Sequence, residues 1–518
     1  MAGSVKTFRT TSLCGGINST SSADGLITFP TKTNPDAAMQ MRDQENFYPL
    51  DRGGLKKVPG FSVFKATGVS SPVTGITRFQ KSDGTNQFIY SQGTSVYKLG
   101  DPTPIATVAS GATIRFCVGN DLLVICDGVN QMQWWDGATI HTNANASLPT
   151  AAIKAIFFQN RFWIMTATAP NQSNVYYSAP NDITQGYGDG TDLGGFVQCD
   201  YNDGDVVIDI VSSFLTNSLN PIIGVAKNRK FGIITEVQVA GVTTYAFSAI
   251  DTVIGAASSD SVCRVGQDIF YFNKLGLTAA RTQVNYNQLY NEYLSVNVSN
   301  QFNTTKISTL NNAILFYDWA SYRVCIAINE VGYQHPNVLW CYDVRLKCWY
   351  KERWGNPNNL TSVFIDTDGT FYHGDSNGNI YIHGPQYHDF NGNVISAYFV
   401  LPYLDFGDQS AWKQFTLMSC SLSGGSKTPV IITYDLNFGA SKASSNSIRP
   451  SQSPYVWGGG VWTSDPSVYQ WGSATTANRR FWPRAYFNNV SPRFSHSDNT
   501  NNLEIFSLSC DVLYTGHR

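Results

Sequence analysis

The chain has 518 residues, a formal net charge of −2 and only 14% charged residues. Near-neutrality excludes a global electrostatic attraction to nucleic acid or to an anionic membrane surface. Gly (44), Phe (30), Tyr (27) and Trp (12) are abundant, a composition of short strands and polar turns rather than of helices built from Ala, Glu, Lys and Leu.

No apolar run approaches the roughly 20 residues needed to span a bilayer. The amino-terminal MAGSVKTFRTTSLCGG lacks the apolar core of a signal peptide, so assembly in a cytoplasm-like compartment is expected. Ten cysteines, none in a Cys-x-x-Cys pair, agree with that. Several sit in apolar runs such as VLWCYDV, where a free thiol behaves as a small buried hydrophobe. Cys341 and Cys348, seven residues apart, are the nearest pair for a cross-strand disulfide.

Residues 1–70 are too polar and turn-rich to form a core alone. They are expected to pack on the other end of the chain, with ITFPTK (27–32) offering a strand. Within them NFYPLDRGGLKKVPGF (46–61) carries Gly53-Gly54, Lys56-Lys57 and Pro59-Gly60. Gly-Gly-Leu-Lys-Lys invites a phosphate-cradle reading. It lacks P-loop spacing, and Pro59-Gly60 begins a turn where a P-loop needs a helix.

From 71 to 387 one grammar recurs: a short aromatic or β-branched strand, an Asp, Asn or Gly turn, then another strand. Turns fall at Asp83-Gly84, Asn120-Asp121, Asp127-Gly128 and Gln159-Asn160. Meanders at intervals of about 30–50 residues point to a β-propeller, here of six to seven blades. VNYNQLYNEYLSVNVSNQFN (284–303) is the one predicted helix, because Leu289, Tyr293 and Leu294 fall near helical spacing. Beyond 388 the texture becomes strands of alternating residues, predicting a β-sandwich. The expected class is all-β: a propeller (71–387) with a sandwich platform built from both chain ends (1–70 and 388–518).

Candidate chemistry is sparse. Asp375-Ser-Asn-Gly-Asn379 looks calcium-like but lacks the spacing and distal Glu of an EF-hand loop. His373, His383 and His388 would have to converge with a further ligand to hold zinc. Asp203, Asp205, Asp209, Asp366 and Asp368 are the carboxylates from which a glycan-cleaving pair would be drawn. Trp134, Trp135, Trp340, Trp349 and Trp354 are platform candidates that blade packing explains equally well. No nucleophile-elbow, zincin or Cys/His signature occurs. A non-enzymatic protein without a cofactor or metal is expected; the alternative is a carbohydrate-binding or glycan-hydrolysing propeller.

ENFYPLDRGGLKKVPGF resembles a segment near the start of the tail hub, or nozzle, proteins of short-tailed bacteriophages. PIIGVAKNRKFGIITE, DTVIGAASSDSVCRVGQDIFYFNKLGLTAA and PYLDFGDQSAWKQFTLMSCSL are similar to later segments of that family, in the same order. The resemblance runs from about residue 34 to the end. It implies a virion protein assembled in the host cytoplasm as a homo-hexameric ring on the head–tail adaptor. Such a ring retains packaged double-stranded DNA, conducts it during ejection, reads no sequence, and borders tail fibres or spikes. In such a channel the Gly/Asn/Asp-rich APNDITQGYGDGTDLGG (179–195) is the candidate gate. Its residues Asn181, Gly186, Tyr187, Asp189 and Asp192 lie in a stretch with too few apolar residues to pack.

Overall fold

The alternation in the sequence becomes a series of antiparallel meanders in the computed structural model of the chain. The structure describes residues 5–21, 26, 38–148, 150–168, 171–190, 193–200, 203–215, 220–239, 242–283, 288–303, 310–330, 332–354, 359–424, 428–450 and 477–517. Two units divide it. One comprises Met1–Ser62, Trp340–Gly355 and Gly384–Arg518; the other comprises Val63–Leu339 and Asn356–His383.

The second unit is built on seven meanders. Their first strands are Val73–Gln80, Arg115–Gly119, Ala152–Phe158, Val207–Phe214, Val262–Val265, Ile314–Asp318 and Ser362–Ile365. From the first to the sixth, each such strand packs against the next, and the seventh packs back on the first. Phe316 and Phe371, 5.3 Å apart, join the sixth meander to the seventh. Thr361 and Ser362 both donate to the Val73 carbonyl, joining the seventh to the first. Seven sheets ringed on their first strands make a β-propeller. The outer strand of the last blade is Phe61–Ala66, which precedes the first blade in sequence.

Each blade is covered on both faces, which is why strands such as Leu122–Cys126 and Asp268–Asn273 read as continuous apolar runs. Phe79, Ile89, Leu123 and Trp135 fill the space between the first two blades. Two-residue hairpins occur at Asn120-Asp121 (φ 49° and 59°) and Gln159-Asn160 (φ 52° and 59°). The flanking pairs Gly119–Leu122 and Phe158–Arg161 set the register. Positive φ at both positions matches the right-handed twist of the strands.

The helix expected over 284–303 is not what forms. Gln288–Tyr293 is the outer strand of the fifth blade, paired with Gly276–Gln283. Helical geometry is limited to Val296–Val298 and the single turn Ser299–Asn303. Pairing to an available sheet edge outweighed a weak helical spacing; residues 284–287 lie outside the described residues.

The first unit is a two-sheet sandwich. One sheet orders Asp43–Glu45, Ile395–Val400, Val490–Asp498, Val430–Leu436 and Ser441–Ile448. The other orders Phe47–Pro49, Leu55–Lys57, Glu504–His517, Ala411–Ser423 and Ala477–Phe481, with Val5–Thr10 added along Glu504–His517. Phe47, Leu55, Phe399, Met418, Tyr434, Phe494 and Leu508 belong to the single core between the sheets. The residues proposed for ITFPTK lie outside those described.

The 46–61 fragment is a hairpin of this sandwich. Lys56 and Arg52 both pair with Glu504, at 3.0 and 2.5 Å. Lys57 is fully buried and donates to the Asp498 carbonyl at 2.6 Å. Burial lowers its pKa to about 8, against the pull of Asp498. A Cβ on Gly60 would lie 1.9 Å from the Asp389 carbonyl oxygen, so only glycine allows that approach.

Trp340–Gly355 supplies outer strands of the sixth meander, as expected within the propeller region, and also groups with the chain ends. Its backbone explains this: Asn46 N–H donates to the Lys351 carbonyl at 2.8 Å and Ile17 N–H to that of Trp349 at 2.7 Å. Arg353 and Lys351 pair with Glu45 at 3.0 and 3.3 Å.

Candidate functional site: the axial charge layer of the propeller

The amino ends of the innermost strands carry four charges. Arg115 opens the second blade, Lys154 stands early in the third, Asp209 early in the fourth, and Asp260 just ahead of the fifth. Arg115 Nε and Nη2 donate to Asp260 Oδ1 and Oδ2 at 2.7 and 2.6 Å, a fork-to-fork pair. The second and fifth blades are three places apart in a seven-membered ring. A direct bond between them therefore crosses the propeller axis.

Lys154 Nζ donates to Asp209 Oδ1 at 2.5 Å, and the Val262 N–H donates to Asp209 Oδ2 at 3.2 Å. The Asp260 carbonyl accepts from the Leu315 N–H of the sixth blade at 2.7 Å. Five blades are thus tied through one polar layer.

Burial governs the layer's electrostatics. It pushes the fully buried Asp209 carboxyl up to about 6, opposed mainly by Lys154. At Asp260 burial also works against ionisation, but the Arg115 guanidinium overcomes it and holds the carboxyl below its usual range. Each charge has a partner of opposite sign, which is the condition for keeping ions inside a fold. What the arrangement does is close the axis: it offers ion pairs where an open bore would need exposed walls.

The carboxylates considered for hydrolysis are engaged in structural bonds. Asp203 receives Lys227 Nζ at 2.8 and 2.9 Å and Lys230 at 2.8 Å. Asp205 accepts the N–H groups of Asn228 and Arg229, and Asp366 takes Arg78 Nε at 2.6 Å. Asp368 accepts the Thr370 N–H within its own turn. Asp375 is buried and accepts from Asn377, from both nitrogens of Asn379 and from the Tyr381 hydroxyl. Its carboxylate serves a hairpin turn.

His373 and His383 do meet, with Nδ1 and Nε2 at 2.7 Å. They stack on Tyr381 and Phe371 at 4.7 and 4.0 Å. Burial lowers His373 to about 3, and burial followed by the charge of its neighbour puts His383 well below 6.5. His388 belongs to the other unit. Among the described residues, no group of three His, Cys, Asp or Glu side chains is placed to hold a metal ion. None of the ten cysteines is in a disulfide, the pair Cys341 and Cys348 included.

Trp135, Trp340, Trp349 and Trp354 are buried, and Trp134 is half-buried, stacked on His141 at 5.5 Å. These rings serve packing rather than a platform.

The 179–195 segment differs from its expectation as an unpacked loop. Asp182–Gly186 is a strand paired with Asn174–Ala179. Asn181 sits in its turn at φ 57°, with its N–H on the Asn160 carbonyl at 2.6 Å. Tyr187 is 1% exposed, packs with Val124, Met132, Leu148 and Ile183, and donates its hydroxyl to the Ile183 carbonyl at 2.8 Å. Asp189 accepts from Gly186 N–H at 3.0 Å and from Asn145 Nδ2 at 3.1 Å. Asp192 lies outside the described residues. One buried aromatic ring, not a run of apolar residues, anchors the segment.

Arg115, Lys154 and Asp260 went unnoticed in the sequence. Nothing local marks a pair 145 residues apart; a weak signal is that charged residues stand at the heads of otherwise apolar inner strands.

No protein-family model matches the chain, and no curated protein matches it. Among solved structures it is similar to "YCF48 bound to D1 peptide", at 10% identity over 63% of this chain and 97% of that chain, with a TM-score of 0.40. The WD40 β-propeller domain of Doa1 gives the same four values. A streptogramin B lyase structure is similar at 11% identity over 62% of this chain and 97% of that one, TM-score 0.37. With every TM-score below 0.5, these likenesses carry nothing about function.

Proposed function

We propose that the chain is a tail hub subunit of a short-tailed bacteriophage, one of six copies in a ring that retains and conducts packaged DNA. The observation that carries this reading is the ordered set of four family-like segments. Two of them fall in the sandwich, at 45–61 and 402–422, and two in the propeller, at 221–236 and 251–280. Agreement over both units is harder to obtain from generic strand-and-turn sequence than agreement within one.

The closed axial layer supports a particular form of the reading. An axis crossed by the Arg115–Asp260 pair leaves no bore for a duplex inside one propeller. The conduit is then the space enclosed by the ring of copies, bounded by the same heterologous contact repeated six times. A net charge of −2 per chain suits a wall that DNA must slide past, because each neutralised phosphate would add affinity. The head–tail adaptor is the docking partner, and fibres or spikes are neighbours.

The test uses particles of the virus that carries this chain. Heads filled and matured without it should release their DNA before tail completion, and adding the purified chain should restore retention. Retention that does not depend on the chain contradicts the proposal.

A further inference from the structure

The fifth blade carries a cavity of about 410 Å³, lined by Ile254, Leu275, Thr278, Asn291, Tyr293 and Ser299. Strand register explains why these side chains meet. Thr278 pairs with Tyr271 on one side and Tyr293 on the other, while Ala280 pairs with Asn291. Directly opposed residues share a face of the sheet, so Thr278, Asn291 and Tyr293 turn the same way. Asp251 closes the space from the end of the fourth blade. Its Oδ1 accepts the Val253 and Ile254 N–H groups at 2.8 and 2.9 Å, a turn that brings Ile254 to that face. The Tyr293 hydroxyl donates to the Leu275 carbonyl and ties the outer strand to the 274–275 turn.

The polar side of this cavity is incomplete. Asn291 Nδ2 donates to Asp251 Oδ2 at 2.9 Å. A carboxylate only accepts, so this bond fixes the amide and leaves its Oδ1 as an acceptor. That Oδ1 and Thr278 Oγ1 are both buried with no hydrogen-bond partner among the described residues, and Thr278 is 2% exposed. Buried polar atoms left in this state cost stability; two on one cavity wall mark a place for a hydrogen-bonding group. Ile254, Leu275 and the Tyr293 ring make the rest of the wall apolar, and none of the six lining residues is charged. Nearby charges are accounted for. Asp251 already accepts three donors, and Arg281 and Glu292 pair with each other from register positions on the opposite face. Lys274 is exposed in the turn beside Leu275, outside the lining.

We infer that this cavity binds a neutral small molecule with a compact apolar body and one hydroxyl or N–H group. The body packs among Ile254, Leu275 and Tyr293, the donor bonds to Asn291 Oδ1, and Thr278 Oγ1 bonds to the same polar group. The volume falls within the range of small-molecule sites, about 300–1,000 Å³. Water serves it poorly. Each molecule takes about 30 Å³, so waters on these two atoms would leave most of the volume against apolar walls. An uncharged lining disfavours an ion, which would lose its hydration without a counter-charge. The inference is independent of the hub proposal.

p-Cresol and indole are the probes, each set against a methylated partner without the donor, 4-methylanisole and 1-methylindole. All are titrated into the full chain by calorimetry and saturation-transfer NMR. At least one donor should bind saturably, with its methylated partner about fivefold weaker, the worth of one neutral hydrogen bond. Thr278→Val keeps the side chain's shape and removes the hydroxyl. It should weaken the donor by a similar factor and leave the methylated partner unchanged. It should also unfold at the same or a higher temperature, because the hydroxyl it removes has no partner to abandon. Leu275→Trp, at a position 38% exposed, fills the cavity from its solvent side and should abolish binding while the fold persists. Saturable binding by neither donor overturns the inference. So does equal affinity of a bound donor and its methylated partner, or binding that Thr278→Val or Leu275→Trp leaves intact.

Discussion

Arg115 illustrates how a single residue carries consequences for the whole ring. Replacing it by Met leaves the half-buried Asp260 without its guanidinium, which costs about 1–3 kcal/mol. The double variant Arg115→Met with Asp260→Leu removes both desolvation penalties and should recover most of that loss. Urea unfolding of the three proteins measures this; equal destabilisation by single and double variants would show the pair to be incidental. The His373–His383 pair predicts a pH dependence of definite sign. His373 has its folded pKa lowered to about 3 from 6.5, chiefly by burial. Below pH 6.5 the unfolded chain takes up a proton that the folded chain refuses, so stability falls as pH drops toward 3, by about 1.4 kcal/mol per pH unit for such a histidine. His383 acts in the same direction. Asp209 acts oppositely: between 3.8 and about 6 its folded form holds a proton that the unfolded form has lost, so stability falls there as pH rises. Substituting Gln at both histidines leaves Asp209 in place and should flatten the acid limb of denaturation midpoint against pH. An unchanged slope contradicts the assignment.

At the scale of elements, the 179–195 segment sets the clearest expectation. Tyr187→Ala should destabilise the propeller by about 3–5 kcal/mol, as large-to-small changes at buried aromatics do. Shortening 183–193 should do at least as much, with inner-strand amides of the third blade losing hydrogen-exchange protection. A neutral effect would restore the picture of an unpacked loop. The reasons for what was legible are local. Asn120-Asp121 announces a two-residue turn because both positions need positive φ, and Asn and Asp tolerate it. The strands around it are apolar throughout because both faces of a blade are covered. By contrast, Leu289 and Tyr293 carry no mark separating one helix face from a strand whose partner is Gly276–Gln283. The seating of Tyr187 is not legible because Gly and Asp dominate the average of its stretch, whereas one ring and Ile183 suffice to seat it.

At the scale of the whole molecule, the all-β propeller was readable from the recurrence of meanders, and the blade number was not. Seven is fixed by which first strands pack side by side and by the return of Phe61–Ala66 to the last blade, both contacts between distant segments. The axial layer was hidden for the same reason: Arg115 and Asp260 become neighbours only when the ring closes. That closure is also why the hub proposal places the channel among the copies of the ring and not inside one propeller. The most direct test is the number of copies of this chain per purified infectious particle, counted by mass spectrometry against isotope-labelled peptides. The account predicts six copies per tail; a chain absent from the particle, or present in a number other than six, contradicts it.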